Sequence, residues 1–433
     1  MKYYLLGIKG SGMSTLAQIL YDLGNEVSGY DDTIDYKFTQ AGLDERNIKI
    51  YHDHEHEIDK DTIVSYSVAL PMDHPEMKRV RKLKLEIKKY NEIIGEIVEM
   101  FDTIAVSGTH GKTTTSSIVR HILENTVGTN YFIGAGDGYV GNNKYFVIEA
   151  DEFNRHFLAY HPNYAIITNI EKEHLECYKD LKDIENTFNK FANNTKKLVI
   201  ANGDNESVRK LDFKTNYKLY GFGDNNNIVI KDLVLDTEGA SFKLYEDRNL
   251  IGSFRIPLYG EYNVLNATAA IYVTYKLGIS LTNIKNALKT FKNANRRFAI
   301  DSVNGHILID DYAHHPTEIE VTLNAVKQKY PDKKITVVFR PNTYSRTKDF
   351  TKEFISSLSV ADKVFLTEIK CNREKASDYP GVSSKIIIDK IDGAELIEED
   401  SINKLEPYKD SIVVFMGCAD VSHLISNYKE LLK

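Results

Sequence analysis

Apolar positions in the first part of the chain switch between two periods. Tyr3 to Ile8 is a short apolar run of strand length, and Met13 to Leu23 repeats its apolar residues at helical spacing before Gly24, a natural C-cap. Glu26 to Tyr30 returns to a strand pattern, and Pro75 to Leu85 predicts a basic amphipathic helix with a solvated face. Further on, Thr103 to Val106 predicts a strand and Ser116 to Leu123 a helix. Tyr145 to Ile148 runs into Glu149-Ala150-Asp151-Glu152, and Tyr164 to Ile170 into Glu171-Lys172-Glu173-His174. Both are buried strands with polar residues at the carboxyl end, where open α/β sheets bind ligands. Asp224 to Phe254 differs, with short alternating runs that predict antiparallel hairpins at one edge. His306 to Ile309, Ile335 to Phe339 and Ile412 to Met416 are three more buried strands. Alternating strands and helices predict parallel sheets covered on both faces. The expected architecture is α/β in three domains, residues 1–97, 98–295 and 296–433.

Composition narrows the classes. A 433-residue chain with 42% hydrophobic residues can bury several cores. The net charge of −7 argues against a general nucleic-acid binder. Cys177, Cys371 and Cys418 are few and scattered, which fits a reducing, cytoplasmic setting and gives no metal-knuckle spacing. No apolar run approaches membrane-spanning length, and the opening run reads as a strand, not a targeting segment.

The segment Gly108-Thr109-His110-Gly111-Lys112-Thr113-Thr114 lies between the predicted strand and helix. Glycines let a backbone curl so that amides at a helix start face a phosphate, the lysine reaches the outer phosphates and the hydroxyl reaches Mg²⁺. This makes the chain a candidate user of ATP with Mg²⁺, with Thr113 and Glu149 as oxygen donors and His174 as a possible further ligand. Earlier, Gly7-Ile8-Lys9-Gly10-Ser11-Gly12-Met13 resembles a dinucleotide fingerprint in which Lys9 replaces a glycine, and Asp31 and Asp32 end the next strand where a ribose-binding acid sits. A diphosphate site and a tight packing turn both fit that pattern. Asp310 and Asp311 are candidate ribose acceptors, and His314, His315 and Arg346 form a set suited to a carboxylate or a developing oxyanion. Arg296 and Arg297 lie at the predicted third-domain junction, where an arginine reaches phosphate only on domain closure. His52-Asp53-His54-Glu55-His56-Glu57 has metal-binding composition, but reads as a solvated charged loop.

Taken together, the N-terminal turn, the phosphate loop, Glu149 to Glu152, Asn169-Ile170 with His174, Asn263 with Asn266, Arg296-Arg297-Phe298, Asp310 to Glu318 and Tyr344 to Thr347 resemble the Mur ligases, ATP-dependent amide-forming enzymes of peptidoglycan synthesis. The Asp310 to Glu318 run is similar to the alanine-adding branch or its peptide-recycling relative, and the N-terminal turn suits the alanine-adding branch better. The resemblance implies an N-terminal Rossmann-like domain for a UDP-sugar, a central P-loop ATPase-like domain and a C-terminal Rossmann-like domain. It implies UDP-N-acetylmuramate and L-alanine as substrates, with no nucleic acid or membrane partner, in a monomer or weak homodimer. By the same resemblance Gly10, Ser11, Gly12, Met13, Asp31 and Ser67 serve the UDP-sugar. Gly108 to Thr114, Asn263, Asn266, Arg297, Asp310 and Asp311 serve ATP, Thr113, Glu149 and His174 serve the metal, and Tyr312, His314 and Arg346 surround the alanine. Lys112, His174, His314 and Arg346 are the expected catalytic set. The chain departs from the family pattern at Tyr262, commonly histidine, and at Thr343, an arginine in many relatives. Two other classes fit single motifs: a nucleotide-hydrolysing switch built on the phosphate loop, and a dinucleotide oxidoreductase built on the N-terminal turn.

Overall fold

The structure is a computed structural model and describes residues 1–433 except 68, 135, 175, 176, 372 and 373. Its first sheet contains β1 (Lys2–Leu6), β2 (Glu26–Tyr30), β3 (Lys49–Tyr51), β4 (Thr62–Tyr66) and β5 (Glu86–Ile87), in the order β3-β2-β1-β4-β5. All neighbours are parallel. Because β2 and β3 lie to one side of β1, and β4 and β5 to the other, the crevice between β1 and β4 is a topological switch point. Leu5 and Leu6 point to opposite faces and both are fully buried, as a doubly covered sheet requires. The helix Ser11–Asp22 starts before the predicted Met13, because the turn closes at Gly10 and Ser14 N already donates to Gly10 O (2.8 Å). It stops at Gly24, whose φ of +81° is open to glycine without strain.

The central sheet has ten strands: β6 (Asp102–Ser107), β7 (Asn130–Ile133), β8 (Asp137–Tyr139), β9 (Tyr145–Glu149), β10 (Tyr164–Ile167), β11 (Leu198–Asn202), β12 (Tyr217–Gly221), β13 (Ile228–Asp236), β14 (Gly239–Glu246) and β15 (Asn249–Ile256). Their order is β15-β14-β13-β12-β11-β10-β6-β9-β7-β8. β6 sits between β10 and β9, parallel to both. The predicted hairpin edge is present as β13 to β15. Asp247 and Arg248 take positive φ in the two-residue turn between β14 and β15, the backbone a tight hairpin needs. The antiparallel pair β7–β8 was not foreseen. Its connection is glycine-rich and its second strand is half exposed, so no apolar period marks it.

The third sheet contains β16 (Ala299–Val303), β17 (His306–Asp311), β18 (Ile335–Phe339), β19 (Lys363–Leu366), β20 (Glu395–Leu396) and β21 (Ile412–Met416), in the order β16-β17-β21-β18-β19-β20. β16 is antiparallel to β17, and the other pairings are parallel. The chain divides into two compact units. One comprises residues 1–231, 243–254 and 265–290; the other comprises 232–242, 255–264 and 291–433. Within the first unit a single apolar cluster runs from Leu5 and Leu16 of the first sheet region to Phe146, Ile167 and Phe188 of the central one. The helix Tyr90–Glu99 adds Ile93, Ile94, Ile97 and Val98 to it. The second unit has its own clusters on the two faces of β17, β18 and β21.

Candidate active site

The phosphate loop leaves the buried end of β6 and enters the helix Lys112–Glu124, which begins four residues before the predicted Ser116. Gly111, at φ +83°, makes the early start possible, and a Cβ there would lie 2.6 Å from Asn266 Oδ1. Gly108 has φ +139°, and a Cβ on it would lie 2.0 Å from Thr168 Oγ1. The residues that follow β10 fix the loop. Thr109 N donates to Asn169 O (3.0 Å), His110 N donates to Asn169 Oδ1 (2.9 Å), and Asn169 Nδ2 and Thr168 Oγ1 both donate to His110 O (3.0 and 2.6 Å). Thr109 Oγ1 accepts from Glu171 N (2.8 Å). Among the described residues no side chain caps this helix start, which leaves its first-turn amides for an anion. Thr114 is buried beneath them.

Lys112 Nζ donates to Gly108 O (2.6 Å) and to both oxygens of Glu152 (3.0 and 2.9 Å). Burial works against both charges, raising the Glu152 carboxyl and opposing the Lys112 ammonium. Glu152 and Asp151 outweigh that for the lysine and hold Lys112 above its ordinary value, while burial keeps Glu152 above its own. His174 Nε2 lies 3.7 Å from Glu152 Oε1. Beside this pair, Thr113 Oγ1 donates to Glu149 Oε1 (2.5 Å), and Gly134 N donates to Glu149 Oε2 (2.5 Å). A hydroxyl and a carboxylate at the end of a buried strand are the hard oxygen donors that Mg²⁺ prefers, so these residues fit that ion.

The β7–β8 hairpin connects this region to the first sheet. Gly136 N donates to Thr15 Oγ1 (3.1 Å), and Gln18 Nε2 donates to Gly136 O (3.0 Å). Thr15 and Gln18 belong to the helix that follows the N-terminal turn. In that turn Gly10 and Ser11 lead into Gly12, where a Cβ would meet Tyr90 Oη at 2.4 Å. Met13 is buried in the core, leaving only its backbone for a ligand. Ser67 follows β4 and faces Gly7 across the switch point; a Cβ on Gly7 would lie 3.0 Å from Ser67 Cβ. Asp31 is buried and accepts from Lys9 N (2.9 Å) and Thr33 N (3.0 Å).

The histidine-rich run after β3 is a largely exposed loop, as expected, and two of its histidines are anchored to the first sheet region. Glu76 is fully buried and accepts from Tyr4 Oη (2.8 Å) and Arg79 Nη1 (2.8 Å), with His54 Nδ1 2.6 Å from its other oxygen. His56 stacks on Tyr51 at 3.6 Å and hydrogen-bonds Tyr4 Oη (2.8 Å). Burial pulls His56 below its ordinary 6.5, with Asp53 opposing, and burial does the same to His156. The unfolded chain therefore binds more protons just below that pH, so stability is complete above about 6.5 and falls as the pH drops through it. We expect the thermal midpoint to fall between pH 7.5 and 5.5, and to fall less in His56→Gln. Equal losses in the two proteins would contradict this.

In the second unit Arg296, Arg297, Asp310, Asp311 and Tyr312 gather at the end of β17. Both oxygens of Asp310 accept from Arg296 Nε (3.2 Å each), and Arg296 Nη2 donates to Gly417 O (2.6 Å). Asp311 is buried and accepts from Phe298 N (2.7 Å) and Ala313 N (2.8 Å), which fastens the arginine turn to the strand end. The guanidinium groups of Arg296 and Arg297 lie 5.4 and 5.0 Å from the Tyr312 ring centre. His314 Nδ1 is 3.1 Å from both Tyr312 O and Glu318 Oε2. His315 caps the helix Pro316–Lys329. Arg346 lies in the helix Tyr344–Asp349, which Thr343 caps through its hydroxyl; this is the local use of the residue that departs from the family pattern. Burial pushes the Cys418 thiol up to about 11, with the nearby Arg346 pulling it back.

Asn266 meets the phosphate loop at Gly111, whereas Asn263, three residues earlier on the helix Glu261–Lys276, belongs to the second unit. Glu152, Thr168 and Glu374 were not singled out for these contacts. Glu152 had a signal, standing three residues after Glu149. Glu374, which accepts from Tyr344 N (2.7 Å) and Ser345 N (3.1 Å), had none.

A phosphate loop at the end of a buried strand, a hydroxyl–carboxylate pair beside it and a separate switch-point crevice define a nucleotide-using α/β protein. Three family domains match in order: the Mur ligase family catalytic domain over residues 2–102, the Mur ligase middle domain over 106–274 and the Mur ligase glutamate ligase domain over 296–418. A UDP-N-acetylmuramate–L-alanine ligase of Lactiplantibacillus plantarum is 44% identical over 435 residues, covering 100% of this chain and 99% of its own. The crystal structure of a UDP-N-acetylmuramate–alanine ligase from Thermotoga maritima superposes with a TM-score of 0.82 at 27% identity, covering 100% and 99% of the two chains. A murein peptide ligase from Psychrobacter arcticus shares the fold, with a TM-score of 0.69 at 21% identity over 100% and 98%. The chain belongs to the Mur ligase family.

Proposed function

We propose that this chain joins L-alanine to the lactyl carboxylate of UDP-N-acetylmuramate at the expense of ATP, in peptidoglycan precursor synthesis in the cytoplasm. The observation that carries the reading is the 44% identity, over the whole of both chains, to a relative named for that activity. A ligase adding a preformed peptide is the nearest rival; the murein peptide ligase fold match stands at lower identity.

The order of events follows from the chemistry. A carboxylate does not react with an amine until it carries a leaving group, so the lactyl carboxylate first attacks the γ-phosphoryl group of ATP in line, ADP leaves and an acyl phosphate forms. The charge that spreads over the phosphoryl oxygens is met by Lys112 and by the amides of Gly108 to Thr114. Thr113 and Glu149, with His174, would hold Mg²⁺, which when bound supplies further neutralisation of phosphate charge. Asn263, Asn266, Arg297, Asp310 and Asp311 are assigned to the nucleotide, and Gly10, Ser11, Gly12, Met13, Asp31 and Ser67 to the UDP-sugar. The alanine amine then attacks the acyl phosphate, and phosphate leaves as the amide forms. Arg346 offers its guanidinium to the alanine carboxylate, and Tyr312 is assigned to the same substrate. His314, oriented through Nδ1 by Tyr312 O and Glu318, presents its other nitrogen for the amine proton.

The acceptor decides between the two ligase readings. We expect phosphate release with UDP-N-acetylmuramate and ATP to saturate with L-alanine, and a preformed tripeptide to give under about 1% of that rate. Faster turnover with the tripeptide would replace this reading with the rival.

A further inference from the structure

Lys9 occupies the N-terminal turn where a dinucleotide fingerprint carries glycine. A lysine in such a turn invites the role of a cation for the diphosphate. The fold directs it elsewhere. Lys9 is 2% exposed, and its Nζ donates to Thr33 O (2.8 Å), Ile34 O (3.3 Å) and Asp35 O (3.3 Å). An ammonium has three donors, and here each has a carbonyl. The main chain of Lys9 joins the same stretch: its N donates to Asp31 Oδ2 (2.9 Å), and its O accepts from Thr39 Oγ1 (2.7 Å). Ser14 Oγ, one turn into the following helix, donates to Thr39 O (2.7 Å). Every polar group of Lys9 is thus bonded to residues 31–39, the segment that leaves the carboxyl end of β2.

That segment lacks a hydrophobic anchor of its own. Ile34, Tyr36 and Phe38 are 79%, 65% and 73% exposed. Large apolar side chains left in water beside a ligand crevice are contact surface for a ligand with flat or apolar faces, such as a nucleobase or a sugar. A segment with no core contacts of its own is held by its hydrogen bonds, and Lys9 supplies most of those that tie it to the turn.

We propose that Lys9 is a positioning residue for the UDP-sugar. It does not touch the diphosphate; it fixes residues 33–38 as a wall of the site beside the N-terminal turn, with Tyr36 and Phe38 as the surface offered to the uridine or sugar. This rests on the reading above that the first domain takes UDP-N-acetylmuramate. Saturable dependence of the wild-type enzyme on that substrate tests the reading, and the Lys9 variant tests the inference separately.

The experiment uses full-length Lys9→Met, which keeps the length of the side chain and removes its donors. Hydrogen exchange is measured across residues 31–39, with steady-state kinetics for each substrate. We expect exchange in this segment to quicken about tenfold, and to slow again when UDP-N-acetylmuramate is added. KM for UDP-N-acetylmuramate should rise about tenfold, with kcat and the KM values for ATP and L-alanine within about twofold of wild type. A KM rise with unchanged exchange would overturn the proposal in favour of direct contact with the ligand. Faster exchange with unchanged KM would overturn it by removing the segment from the site, and no change in either would leave Lys9 without the role. Should Lys9→Met not fold, Thr39→Val removes one tie between the same two segments and is read against the same outcomes.

Discussion

Lys112→Met loses about 10³-fold or more in turnover, because the phosphoryl oxygens lose the cation nearest to their developing charge. The structure adds a stability effect to that catalytic one. Glu152 is 2% exposed and holds Lys112 Nζ through both oxygens. Removing one partner of a buried pair costs about 3–5 kcal/mol when the other stays charged, and less when it takes up a proton. Lys112→Met should therefore show a lowered thermal midpoint that partly recovers at acid pH. The double variant Lys112→Met/Glu152→Gln should regain most of the stability and none of the activity. Denaturation and turnover measured on the same preparations separate the two effects. A double variant as unstable as the single one, or a single variant with near-normal turnover, would contradict this account of Lys112.

Gly108→Ala has the second large effect, and it acts through the backbone. The residue sits at φ +139°, and its added Cβ would lie 2.0 Å from Thr168 Oγ1 and 3.1 Å from Asn169 N. Thr168 cannot step aside cheaply, since its hydroxyl donates to His110 O and so holds the loop. Unfavourable φ and overlap together cost about 3 kcal/mol, shared between destabilisation and opening of the loop. Nucleotide affinity should fall about 10²-fold. Gly108→Ala/Thr168→Ala relieves the overlap but not the φ penalty and loses the loop's hydroxyl bond, so it recovers only part of the stability. Wild-type nucleotide affinity in Gly108→Ala, measured by calorimetry, would show that the loop is not the phosphate site.

The parts legible in the sequence are those where one physical constraint leaves a local mark. Glu26–Tyr30, Ile335–Phe339 and Ile412–Met416 are strands at the predicted residues, because the flanks cut each run sharply. The phosphate loop is legible because its left-handed backbone demands Gly108 and Gly111 in writing. β16 and β20 are edge strands with exposed residues, so they lack an apolar period to betray them. A boundary drawn at residue 97 falls within the helix Tyr90–Glu99, whose buried face joins the shared core of the first unit. An amphipathic helix between two sheets does not record which sheet it serves.

Side-chain direction was the harder quantity. Glu152 meets Lys112 across 40 residues of sequence, and only folding of β9 beside β6 brings them together. Lys9 reads in the sequence only as a replaced glycine, and the three carbonyls that its ammonium bonds lie more than twenty residues further along the chain. The run His52 to Glu57 reads correctly as a solvated loop, but the anchoring of His54 and His56 is hidden because Glu76 and Tyr4 are distant in the chain.

The central claim is that ATP cleavage here is bound to amide formation. Purified protein with Mg²⁺, ATP, UDP-N-acetylmuramate and L-alanine should form ADP and UDP-N-acetylmuramoyl-L-alanine in equal amounts, with little ADP formed when any one of the three substrates is omitted. ADP formation at the same rate without L-alanine, or without any new amide, would contradict the account.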